Sequence, residues 1–183
     1  MKNVLLIIII LLGCNSQKGQ HLEKECKIEE TKDLTQINNL YERIKIPDLY
    51  KDTLENNEND YQYEVILYKM SDNQNNKIVV VRKINNKIVN FKEDLLSKQN
   101  FNLKEKDLKT LNENLNALEG NFYFETCNEP STNNDLYLLV INKSGKIFAK
   151  YLAYQKLSFK KSQTNNNVNK IKRILEIMYR NSW

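Results

Sequence analysis

Two asparagines, Asn85 and Asn86, stand between two strand-like runs, residues 78–81 (Ile-Val-Val-Val) and 88–91 (Ile-Val-Asn-Phe). Asparagine tolerates positive φ better than most residues that carry a Cβ, so this pair reads as a tight hairpin. A tight hairpin fixes the register of both strands, and register decides which side chains share a face. Just upstream, Tyr61, Tyr63, Val65 and Leu67 alternate with Gln62 and Glu64, the period of a half-buried strand. Residues 71–76 read as a polar turn joining it to the hairpin, which gives a three-stranded meander. Leu108, Leu111, Leu115 and Leu118 then make a helical stripe. Asn102 and Glu105 have the spacing of a capping box, and Gly120 sits where a C′ glycine belongs.

Ahead of the meander, residues 15–27 are polar and without period, and read as a tether. Leu34, Ile37, Tyr41 and Ile44 recur at helical spacing, with Asp33 as the cap signal. Pro47 ends that helix or opens a short second one holding Leu49, Tyr50 and Leu54. Residues 55–60 read as an acidic loop.

The second half follows the same plan. Strands are expected over residues 122–127, 136–141 and 147–154, with a polar loop at 128–135 and a turn at Lys143-Ser144-Gly145. Residues 157–159 extend the sheet in this reading. Val168, Ile171, Ile174, Leu175 and Met178 mark a closing amphipathic helix. The halves align without a gap: Tyr63 falls on Phe122, Val65 on Phe124, Val81 on Val140 and Asn86 on Gly145. The same offset places Leu115 on Ile174, which suggests a duplicated βββα unit. The expected fold is α+β, with order α-βββ-α-βββ-α. It would be an antiparallel sheet of about six strands with helices packed on one face.

The start of the chain constrains location rather than fold. Lys2 and Asn3 precede nine apolar residues, 4–12, followed by Gly13 and Cys14. As helix, that run rises roughly 14 Å, under half of a bilayer core, so it suits a signal segment rather than a span. Leu11-Leu12-Gly13-Cys14 resembles the lipobox of bacterial lipoproteins, a resemblance confined to the targeting segment. It implies cleavage before Cys14, diacylglycerol on the Cys14 sulfur, and further acylation such as palmitate on the new amino group. Two or three acyl chains anchor stably where one does not. Asn15 in place of Asp resembles the outer-membrane default of two-membrane bacteria. The expected organisation is a signal segment at 1–13, lipidated Cys14 and a flexible tether at 14–30, and one globular domain at 31–183.

Removing Cys14 leaves an even pair among three cysteines, Cys26 and Cys127. An exported protein folds where disulfides persist, so these two are expected to bond. Closing a loop of about 100 residues would stabilise the fold by about 4 to 5 kcal/mol on the chain-entropy model.

Most catalytic machinery is missing by inspection. The lone histidine, His21, lies in the expected tether, which removes Ser-His and Cys-His nucleophile systems. Four glycines build no phosphate-cradling loop, and residues 72–76 lack the glycine and glutamate of a calcium loop. Neither a cofactor nor a metal is expected. Glu58 with Asp60, or Glu125 with Glu129, could pair as glycosidase carboxylates, but nothing fixes their geometry. Charge runs from acidic to basic: residues 15–75 hold eight basic and thirteen acidic side chains, residues 120–183 ten and four. Tyr63, Lys83, Lys87, Tyr137, Lys146 and Tyr151 interleave as a candidate binding face. The competing reading makes the tyrosines core. Export argues against nucleic acid. The function expected is therefore a non-enzymatic, lipid-anchored interaction module of the cell envelope: an assembly subunit, an inhibitor or an immunity-type protein. The alternative is a small-ligand carrier or weak enzyme with a pocket between sheet and helices.

Overall fold

The structure is a computed structural model; it describes residues 26–41, 46, 50–51, 54, 61–70, 76–127, 136–153 and 165–181. Cys14 with its signal segment, the residues before 26, the loops at 55–60 and 128–135, and the strand expected at 157–159 lie outside the described residues.

Eight described strands form one sheet. They are β1 (Cys26–Thr31), β2 (Tyr63–Met70), β3 (Lys77–Ile84), β4 (Lys87–Asp94), β5 (Lys98–Asn100), β6 (Phe122–Cys127), β7 (Leu136–Lys143) and β8 (Lys146–Ala153). Their spatial order is β1-β6-β8-β7-β2-β3-β4-β5. Three described helices accompany them: α1 (Leu34–Tyr41), α2 (Glu105–Ala117) and α3 (Asn166–Arg180). All paired strands run antiparallel except β6 and β8, which are parallel over Phe122–Phe124.

The first hairpin is as the sequence reads. Asn85 and Asn86 take φ of 46° and 64° and join β3 to β4. Ser144 and Gly145 take φ of 49° and 72° and join β7 to β8 in the same manner. Positive φ at both central residues matches the right-handed twist of the flanking strands. Asp33 does cap α1, its Oδ1 accepting the Thr35 amide at 2.8 Å.

Four expectations about the fold are overturned. The described strands number eight and the sheet is mixed, not an antiparallel sheet of six. The two extra strands are edges. β1 opens inside the segment read as tether, and β5 is three polar residues. An edge strand has one neighbour and needs little apolar surface, so neither shows in a hydrophobic pattern. Among the described residues β1 precedes α1, so the first described element is a strand and not a helix.

The helices also do not cover a single apolar face. Val65, Leu67, Val79, Val81, Leu139 and Ile141 pack under α2 and α3, against Leu111, Leu115, Ile171 and Ile174. Their sequence neighbours Ile66, Tyr68, Ile78, Val80, Leu138 and Val140 form a second core with Tyr50 and Leu54. Strands buried on both sides are near-continuous in apolar residues, as β2, β3 and β7 are. Finally, duplication fails. In the first half β2 pairs β3, whereas its counterpart β6 skips β7 and pairs β8 in parallel. Sequence alignment saw like strands but not their neighbours.

α2 begins at Glu105 with Lys104 as its N-cap, which makes no side-chain capping bond, so Asn102 is no capping-box partner. Its C-cap, Leu118, is extended, so Gly120 is not a C′ glycine. Gly120 is needed for another reason: a Cβ there would sit 3.0 Å from the Phe148 carbonyl oxygen and 3.1 Å from its ring. The last turn of α2 is instead held by cations. Lys143 Nζ donates to the Leu115 carbonyl at 2.6 Å, and Lys170 donates to the Ala117 carbonyl at 2.5 Å. Positive charge there also opposes the negative end of the helix dipole.

Candidate functional site

Alternation decides the fate of the candidate tyrosines. Tyr63, Tyr137 and Tyr151 lie at odd positions of β2, β7 and β8, and all three are buried beneath α2 and α3. Burial pushes the Tyr63 hydroxyl up to about 12. Tyr151 is raised as well, first by burial and then by Glu125, whose carboxylate accepts a hydrogen bond from its hydroxyl. The aromatic half of the candidate face is therefore core, and this expectation is corrected. Tyrosines on a strand with two covered faces have nowhere else to go.

The lysine half remains at the surface. Lys87 and Lys146 are exposed beside the two hairpin turns, and Lys83 is half-buried. Tyr63 of β2 stands opposite both Lys83 and Lys143, so the two turns lie at the same end of the sheet on either side of β2. Lys83 and Lys146 share the Tyr63 face, whereas Lys87, opposite Ile84, lies on the other. Lys143 has left this group to cap α2 beside the Phe148 ring, and burial lowers its amine below the usual lysine range.

Sequence reading missed a polar row near that end, on the other face. Arg82, Glu64 and Asn142 stand directly opposite one another on β3, β2 and β7. Glu64 is 1% exposed. It is paired with the Arg82 guanidinium and accepts from Asn142 Nδ2 at 2.8 Å. The Arg82 guanidinium also lies 5.0 Å from the Tyr61 ring and 5.2 Å from the Phe91 ring. The signal was present: Glu64 and Arg82 are charges at the ends of otherwise apolar strands. Enclosed and paired on both oxygens, the Glu64 carboxylate is suited to pinning register.

A second juxtaposition concerns the cysteines. The β1–β6 register places Cys26 directly opposite Cys127. No disulfide is seen, and neither side chain belongs to the described residues, so the backbone register is the observation.

Among the described residues, no three acidic, histidine or cysteine side chains gather as a metal site, and no helix is long and apolar enough to cross a membrane. The chain matches no family model, and no curated protein or solved structure matches it.

Proposed function

We propose that the chain is a lipid-anchored cell-envelope protein, held in the outer membrane through Cys14, that acts by contact with an envelope protein and not by catalysis. The observation that carries this reading is how the space between sheet and helices is used. Leu111, Leu115, Ile171, Ile174, Leu175 and Met178 meet Val65, Leu67, Leu139 and Ile141 there. A carrier or enzyme pocket would need that space, whereas an interaction module needs only a stiff scaffold and a presented surface. The hairpin ends with Lys83, Lys87 and Lys146 supply such a surface. Two tight turns hold them, and positive charge suits an acidic partner.

The test has two arms. Cys14→Ser should abolish palmitate incorporation, and label persisting in that variant would remove the anchor. Lys87→Glu with Lys146→Glu, in the lipidated chain, should lose the protein that the unaltered chain captures by crosslinking in its own envelope. The same protein captured with equal yield would move the contact away from the hairpin ends.

A further inference from the structure

We propose that Cys26 and Cys127 join in a disulfide across β1 and β6, clamping the sheet at the first residue of β1. The two cysteines are far apart in sequence, yet the pairing of β1 and β6 sets them directly opposite each other. Opposed residues of an antiparallel pair project to the same face, with Cα atoms about 4.5 or about 5.5 Å apart according to the hydrogen-bonding pattern. Both separations fall in the window of about 4.4 to 6.8 Å that disulfides occupy. The bond therefore asks for no change in the pairing of the two strands.

The position gives the bond a purpose. Among the described strands β1 lies at the edge of the sheet, beside β6. Its far end is already fastened: Glu30 accepts from Asn121 and, at 2.9 Å, from Asn165 Nδ2, which ties it to the start of β6 and the cap of α3. Its first residue, Cys26, opens the strand on the side of the leader. A pull from lipidated Cys14 enters the described part of the sheet there. Without a covalent link it would peel an edge strand from its end. With the link it passes into β6 and, through β8, into the double-sided core.

The chemistry is thiol–disulfide exchange. One thiolate attacks the disulfide of an envelope dithiol oxidoreductase, and the second thiolate displaces that enzyme. The two cysteine thiols lose two electrons and two protons, and the oxidant leaves as a dithiol. The step takes place in an oxidising compartment, so it rests on the export reading above.

Two measurements separate the bond from that reading. The full chain carrying Cys14→Ser holds only these two thiols, and it is titrated in glutathione buffers of increasing oxidation. The proposal expects a monomer that loses two hydrogens in intact mass, with the peptides containing residues 26 and 127 linked. Mixed glutathione adducts on two independent thiols would overturn it. Alkylation of the wild-type protein in its envelope, without reductant, then reads the compartment. Protected cysteines there support the bond in place. Cysteines that label freely there, in a protein that closes the bond in the titration, overturn export and with it the clamp in the cell.

Discussion

Glu64 shows how much one side chain can constrain. A carboxylate at 1% exposure must find partners, and it finds them on both neighbouring strands. Because the side-chain period of a strand is two, slipping β3 or β7 by one residue would carry Arg82 or Asn142 to the opposite face and strand the charge. Removing Arg82 has the same effect without the slip. Breaking a buried pair costs about 3 to 5 kcal/mol when both partners are enclosed. Arg82 keeps 22% of its side-chain exposure, so the lower end applies. Arg82→Met should therefore lower stability by about 3 kcal/mol in urea unfolding. Glu64→Gln in the same chain should recover much of the loss, since an amide needs no counter-charge. Equal stability of the single and double variants would leave the row without a register role.

The elements divide by how local their causes are. The hairpin at Asn85-Asn86 and the helix carrying Leu111 and Leu115 were legible, since a turn pair and a 3.6-residue stripe each act within a few residues. The two-sided burial of β2, β3 and β7 was written in their continuous apolar runs, and it was read as one-sided because alternation was traced only through Tyr63, Val65 and Leu67. β1 could not be read, because Lys27, Glu29 and Glu30 surround a single Ile28 and its pairing depends on residues about a hundred positions away. The candidate site divided likewise: Lys87 and Lys146 flank local turns and are exposed, Lys83 is half-buried, and its tyrosines depended on which faces the helices cover. Gly120 sits between these cases. Its presence was noted and its reason was not, since the close approach of Phe148 is a tertiary fact. Gly120→Ala must push the β8 backbone or the Phe148 ring aside. Overpacking of this kind costs about 1 to 3 kcal/mol. The thermal midpoint should fall accordingly, and an unchanged midpoint would mean that the α2–β6 connection yields freely.

At the scale of the molecule, the junction that matters is β2 with β7. It joins the segment before α2 to the segment after it, with residues paired from Tyr63–Lys143 to Met70–Leu136. Both cores cross this seam: Leu67 and Leu139 on one face, Ile66 and Val140 on the other. A chain built as two repeated units would have two separable cores and could unfold in two steps. One sheet sharing both cores across its middle should unfold in one. Leu139→Ala tests this, because Leu139 is buried at the seam beneath α2 and α3 and takes no part in the hairpin ends or the cysteine pair. Its loss should cost about 2 to 5 kcal/mol through the cavity left behind. Hydrogen exchange supplies the decisive readout. The slowest amides of β3, on one side of the seam, and of β8, on the other, exchange by global opening if the sheet is one cooperative unit. Both sets should then lose protection by the same factor in Leu139→Ala. Faster exchange in β8 with unchanged protection in β3 would show two units that merely touch.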